Sequence, residues 1–306
     1  MCEPNVMLAS PPPPHRRLGP IRRLALVALI CVCVASCYTL TKKDIFEVSF
    51  RPLSAATLVA LSDEHHVVER LPVADVDPPI SAYWDHGDSS SSMLIFFNGN
   101  GYGAEPALRR LLVPARKLGL DLIVFNYYDQ GQSVPSMEHI RSAAQALFAT
   151  ATRLPTPAAK SIFVGGHSLG ATFALDTAVR DPVEGVFVAA PATTGVAMIK
   201  YQLWYSRFAR LRPDEDYRQF DNIALAKRVH RKIIVFGSEG DTDLPPKFTR
   251  EVFAALPADD KRKLVILANS PHSEYFRQEE FWYGLKIFFG LNGTGPFVGY
   301  LPEPHR

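Results

Sequence analysis

The chain has 306 residues, 33 basic and 31 acidic side chains and four cysteines, for a formal net charge of +2. That length supports a sizeable core on its own, and so balanced a charge argues against a nucleic-acid partner. Cys2, Cys31, Cys33 and Cys37 all fall at the N-terminal end, so the rest has no disulfide, thiol nucleophile or cysteine-based metal site.

The first 36 residues read as a leader. Pro11 to Pro14 is a proline run that forms neither helix nor central strand. Arg16, Arg17, Arg22 and Arg23 then precede an apolar run from Leu24 to Ala35, the order of an export signal. Val34-Ala35-Ser36-Cys37 resembles the lipobox of bacterial lipoproteins, in which the cysteine is lipidated and becomes the N-terminus. Cys37 is therefore the expected lipidation site. Tyr38 beside it is not the aspartate associated with inner-membrane retention, so the resemblance implies the outer membrane or the periplasmic face. The competing reading is an uncleaved anchor across Leu24 to Thr41, at the short end of the ~17–25 residues a spanning helix needs. Either way the arginines stay inside and the rest is exported. Without residues 1–36 the chain has 29 basic and 30 acidic residues.

Residues 37–60 read as a tether and a first edge strand, with 61–306 as one α/β domain. Ile45–Phe50, His66–Leu71 and Ile80–Trp84 are short β-like runs bounded by Pro, Asp or Gly. His65 and His66 fall among them without a third ligand nearby, as solvated loop histidines do. Asp88 to Ser92 is a polar turn. Met93–Phe97 is continuously apolar, the mark of a strand buried on both faces.

Asn98-Gly99-Asn100-Gly101-Tyr102-Gly103 follows that strand. Its spacing fits neither the dinucleotide nor the P-loop pattern, and its glycines let the backbone turn its N–H groups inward. A helix over Ala104–Leu118, a strand over Asp121–Tyr127 and a helix over Ser136–Arg153 come next, the last stopped by Pro155 and Pro157.

Ser161-Ile162-Phe163-Val164 is an apolar strand, Gly166-His167-Ser168-Leu169-Gly170 follows it, and an Ala-rich helix begins at Leu169. Gly-x-Ser-x-Gly between a strand and a helix is the nucleophile elbow, in which Ser168 sits on a sharp turn and the glycines admit two backbones passing closely. The helix start adds free N–H groups and partial positive charge beside the serine.

Gly185–Ala190 is a strand, an interruption runs from Ala192 to Arg231, and Lys232–Phe236 resumes the alternation. A helix over Pro246–Leu256, a strand over Lys263–Ala268 and a helix over Glu274–Phe289 close it. A serine nucleophile needs a base oriented by an acid, and on the elbow's fold both follow the serine, acid first. His272 is the histidine that follows a late strand and precedes a helix. Glu239, Asp241 and Asp243 compete for the acid, with Asp241 preferred because its place four residues before Pro245 resembles the Gly-x-x-Asp-x-x-Val-Pro loop of hydrolases. The oxyanion needs two donors: the Leu169 N–H, and one from the glycine-rich loop, Asn100 first with Gly101 or Gly99 behind it.

Together these residues resemble the α/β-hydrolase superfamily of serine esterases, lipases and peptidases over about Met93 to Gly290. Two motifs depart from it. Asn98-Gly99-Asn100 stands where the family has His-Gly-x, and Asn126-Tyr127-Tyr128-Asp129-Gln130-Gly131-Gln132-Ser133 where it has Asp-Tyr-Arg-Gly-Tyr-Gly-x-Ser. The resemblance implies an α/β-hydrolase fold with a mostly parallel sheet. It also implies that residues 192–231 are a short lid-like insert, against which stands a plain helix packed on the sheet. The expected function is a serine hydrolase of carboxylic esters or thioesters, or a peptidase or acyltransferase using the same triad. Its partners would be a small-molecule or lipid acyl ester and the membrane. No cofactor and no metal is implied. The alternative is a non-catalytic, membrane-tethered binding protein on a hydrolase scaffold. Asn292-Gly293-Thr294 is a sequon that matters only in a eukaryotic secretory route.

Overall fold

The computed structural model describes residues 37–297 apart from 47, 89, 91, 155–160, 203–209 and 294. The leader, Pro155, Pro157 and the stretch from Leu203 to Ala209 in the insert lie outside the described residues.

Between 37 and 60 the structure departs from the expected tether and edge strand. Residues Cys37–Leu40 form a strand (β1), and Lys42–Ile45 a one-turn helix (α1) in place of the start of the expected Ile45–Phe50 strand. The reason is local. The Asp44 carboxylate accepts from the Thr41 backbone N–H at 2.7 Å and from its hydroxyl at 3.0 Å, which fixes a helix start. A second helix, Ala55–Leu61 (α2), is capped by Ser54, whose hydroxyl accepts from the Thr57 N–H.

His66–Leu71 (β2), Ala82–Gly87 (β3), Ser92–Phe97 (β4), Leu120–Phe125 (β5), Ser161–His167 (β6) and Gly185–Ala189 (β7) then enter the main sheet. The helices Ala104–Lys117 (α3), Met137–Ala151 (α4) and Gly170–Arg180 (α5) connect them. The insert holds a helix, Gly195–Gln202 (α6), a strand, Arg210–Pro213 (β8), and two short helices, Glu215–Arg218 (α7) and Asn222–Ala226 (α8). Lys232–Ser238 (β9), a helix over Pro246–Ala255 (α9) and Arg262–Leu267 (β10) complete the alternation. The expected last helix is broken in two, a 3₁₀ segment over His272–Arg277 and a helix over Glu279–Phe289 (α10).

The eight-stranded sheet has the order β2-β3-β5-β4-β6-β7-β9-β10. β3 runs antiparallel to β2 and β5, and every other pairing is parallel. Burial on both faces explains the unbroken apolar runs. Along β4, Met93, Ile95 and Phe97 join the core on one face, and Leu94 and Phe96 the core on the other. Each such side chain contributes about 1.5–3 kcal/mol by leaving water.

The connections decide where a ligand fits. From β4 the chain crosses to β5 on one side, then returns through α4 to β6 on the other. The loops after β4 and β6 therefore part at their carboxyl ends and open a crevice between them. A separate two-stranded parallel ribbon pairs β1 with β8, in register from Cys37 opposite Arg210 to Leu40 opposite Pro213. Among the described residues, no helix is long and apolar enough to cross a membrane, and no group of three or more His, Cys, Asp or Glu is placed to hold a metal.

Candidate active site

Ser168 sits between β6 and α5 with φ of +53°, a left-handed conformation that costs a non-glycine residue about 1–2 kcal/mol. The turn is as tight as the motif requires. A Cβ on Gly166 would lie 2.2 Å from the Gly170 carbonyl oxygen, and one on Gly170 would lie 2.0 Å from that of Phe97. Both neighbours are backbone and have no room to yield. The glycines let α5 pass against β6 and β4, and this presses Ser168 up into the crevice.

Leu169 occupies the first position of α5's start and Asn100 the loop after β4. Among the described residues, neither backbone N–H has a protein acceptor. The two alternatives to Asn100 are placed differently. The Gly101 N–H donates to Asn100 Oδ1 at 3.0 Å, and Gly99 lies against His167, where a Cβ would be 2.9 Å from Nδ1. The loop is fixed from beneath. The buried Asn98 donates through Nδ2 to the Phe125 carbonyl at 3.1 Å, and its own carbonyl accepts from the Tyr127 hydroxyl at 2.6 Å. Asn126 Oδ1 accepts from the Ala104 N–H at 2.8 Å, tying the start of α3 to the end of β5.

Of the three candidate acids, Asp241 is the one whose carboxylate reaches His272. Its Oδ2 accepts from His272 Nδ1 at 2.8 Å. The Asp241 side chain is fully buried, and its charge is met from several sides. Oδ1 accepts from the N–H groups of Asp243 and Leu244 at 3.0 and 2.8 Å, and Oδ2 also from the Tyr275 hydroxyl at 3.1 Å. Glu239 lies outside this network, paired on the surface with Arg250 at 3.1 Å. Asp243 is exposed and contributes its N–H.

Two participants were not singled out in the sequence. Tyr275 lies three residues beyond His272 on the 3₁₀ segment and is fully buried. Burial, with the Asp241 charge added, pushes its hydroxyl well above the ordinary tyrosine range, so it stays a donor. The x of the elbow, His167, donates through Nε2 to the His272 carbonyl at 2.8 Å, their rings 4.7 Å apart. Burial first, and then the nearby His272, hold His167 well below the usual histidine range, which keeps it neutral. It thereby pins the histidine loop to the elbow strand. Its position inside Gly-x-Ser-x-Gly was the available signal, since a histidine there faces the next loop of the crevice.

Ser168, Leu169, Asn100 and His272 line one cavity of about 200 Å³, together with Asp44, Ile45, Met198, Ile199, Gln202 and Asp243. Among the described residues Ser168 Oγ and His272 share the cavity without a hydrogen bond between them, as often happens before substrate closes a site. The insert thus contributes Met198, Ile199 and Gln202 of α6 as a wall, while Ile199 also packs into the core. The cavity combines an apolar flank, a hydroxyl on a strained turn, an imidazole held by a buried carboxylate, and two unoccupied N–H donors.

No family model matches the chain, and no curated protein resembles it in sequence. Solved structures match it in fold. An esterase of Pyrococcus furiosus superposes with a TM-score of 0.63 at 15% identity, over 79% of this chain and 96% of that one. The acylaminoacyl peptidase of Pyrococcus horikoshii gives 0.57 at 13% identity, over 78% of this chain and 43% of the peptidase. A 2,6-dihydroxy-pseudo-oxynicotine hydrolase gives 0.58 at 15% identity, over 74% and 68%. With the strand order and the elbow already described, these likenesses establish the architecture: the chain has the α/β-hydrolase fold.

Proposed function

We propose that the protein is a serine hydrolase that cleaves carboxylic esters or thioesters through an acyl-enzyme on Ser168. The observation that carries the reading is the 2.8 Å bond from His272 Nδ1 to the buried Asp241 carboxylate, on the wall of the cavity that holds Ser168. With Nδ1–H committed to Asp241, Nε2 is left as the base.

In this reading Ser168 Oγ attacks the acyl carbon and its proton passes to His272 Nε2. Negative charge moves to the carbonyl oxygen, to which the N–H groups of Leu169 and Asn100 donate hydrogen bonds. His272 returns the proton to the departing alcohol or thiol, and water, deprotonated by the same nitrogen, releases the acid and restores Ser168. Asp241 holds the ring in its tautomer and stabilises the imidazolium. The esterase and hydrolase names of the similar folds support this class of chemistry, while the fold itself serves peptidases and acyltransferases equally.

The leader adds a location. Its arginines, the Leu24–Ala35 run and the sequence ending at Cys37 support an exported domain held on a membrane, by lipid at Cys37 or by one N-terminal anchor.

The test is fluorophosphonate labelling and turnover of p-nitrophenyl acyl esters by the wild type, Ser168→Ala and His272→Ala. Labelling and turnover are expected in the wild type, with kcat lower by about 10⁴–10⁶ in the variants and their unfolding curves unchanged. A folded wild type that neither labels nor turns over any ester would overturn the hydrolase reading and leave a binding scaffold.

A further inference from the structure

The segment that follows the leader is built into the candidate active site. All four residues of β1 pair with β8 of the insert, and the Asp214 N–H closes the ladder on the Leu40 carbonyl at 2.9 Å. The next turn, α1, is pinned by the Thr41–Asp44 bonds and places Asp44 and Ile45 on the cavity wall. Phe46 then sinks into the core between Tyr127 and Phe173, ring centroids 5.8 and 6.3 Å away. A flexible tether would leave these backbone groups to solvent. Here there is no slack from Cys37 to Phe46.

This fixes the cavity relative to whatever holds residue 37. The strand covers about 10 Å at ~3.3 Å per residue, and the helical turn adds about 5 Å. A membrane ending at Cys37 therefore stands within about 15 Å of chain from the wall of the serine cavity. Around the same ribbon lie Lys42, half-buried, and Lys43 and Arg212, exposed, with no carboxylate paired to any of them among the described residues. Their charge suits an anionic lipid surface.

We infer that β1, α1 and β8 form a membrane-facing collar that holds the serine cavity over an anionic bilayer, so that its substrate is an acyl ester resident in that bilayer. This rests on the hydrolase and leader readings above and adds the source of the substrate. Water-soluble esters reach the cavity too, but without help from the collar.

The experiment uses the full chain reconstituted in vesicles of phosphatidylethanolamine and phosphatidylglycerol. Two substrates are offered, soluble p-nitrophenyl butyrate and phosphatidylglycerol with a fluorogenic acyl ester. The labelled lipid is placed either in the vesicles that carry the protein or in separate ones. Hydrolysis at least tenfold faster from the protein's own vesicles is expected. The triple variant Lys42→Glu, Lys43→Glu, Arg212→Glu should keep its butyrate turnover within about twofold. Its turnover of the lipid ester should fall at least tenfold, since each basic residue near an anionic surface is worth about fivefold. Butyrate turnover with no lipid hydrolysis, or with equal rates from both vesicle populations, overturns the collar and leaves the hydrolase standing. Absence of both activities and of fluorophosphonate labelling removes the hydrolase, and the collar with it. If the triple variant misfolds, the milder pair Lys43→Gln, Arg212→Gln, at two exposed positions, takes its place, and lipid turnover unchanged in that pair overturns the collar.

Discussion

The two walls of the serine cavity are built in opposite ways. One wall is the pair of loops after β4 and β6, where each residue's place follows from its neighbours in sequence: an apolar strand, a glycine-constrained turn, a helix start. The other is α1 and the α6 helix of the insert, where the β1–β8 ladder, pairing strands distant in sequence, leads into α1 and a single capped turn sets two wall residues. The first is held by backbone that has no room to move, the second by side-chain burial and one short ladder. Rigidity should follow that division, with Ser168 and the N–H groups of Leu169 and Asn100 on the unyielding wall.

The largest expected effect comes from the unyielding wall. Gly170→Ala would bring a methyl group to 2.0 Å from the Phe97 carbonyl oxygen. Backbone there has no rotamer to change, so we expect about 3–5 kcal/mol of destabilisation, at the high end for a single substitution, or insoluble protein. Urea unfolding checks this. A loss below about 1 kcal/mol would mean that the backbone around the elbow has room to yield.

Phe46→Ala tests the other wall. At 3% exposure against Tyr127 and Phe173, its loss should cost about 3 kcal/mol. Were residues 37–46 a solvated tether, the substitution would leave the thermal midpoint unchanged.

How much could be read beforehand follows the same line. β4 with its glycine-rich loop, the elbow and His272 each carry their signal within a few residues, so the sheet's parallel part and the crevice were legible. The acid was narrowed to three candidates, because a loop's internal hydrogen bonds decide which carboxylate turns inward. Asp241 does so by accepting the N–H groups of Asp243 and Leu244. The Ile45–Phe50 stretch reads as a strand because its β-like composition outweighs the Thr41–Asp44 cap just before it, which in the structure starts a helical turn. The β1–β8 pairing had no local signal. Tyr275 has no local signal, since nothing in a single sequence reveals which hydroxyl will be buried beside a carboxylate, and His167 shows only its place inside the elbow.

His167 offers a pH-dependent test of the rigid wall. Its folded-state pKa lies below the unfolded value, so near and below pH 6.5 the unfolded chain takes up a proton that the folded one refuses. The sign follows: its contribution is intact above about pH 6.5 and is lost as pH falls below it, by up to about 1.4 kcal/mol per pH unit. Stability measured from pH 7.5 to 5 should fall in the wild type. The slope should be shallower by one proton's worth in His167→Gln, whose amide can still donate to the His272 carbonyl.

The smallest effect expected is also the most specific. Tyr275 and His272 both donate to Asp241 Oδ2, so the tyrosine draws off part of the charge that would otherwise steady the imidazolium. In Tyr275→Phe the carboxylate has one donor fewer and holds the His272 ring less firmly. Under the proposed hydrolase reading kcat should fall about fivefold, roughly 1 kcal/mol for one lost hydrogen bond, with KM unchanged. A purely structural role would lower the thermal midpoint and leave kcat of the folded protein where it was. Tyr275 is then a positioning residue for the base, reached from the 3₁₀ segment that His272 itself begins. It adds one hydrogen bond to the Asp241–His272 pair on which the proposed hydrolase reading depends.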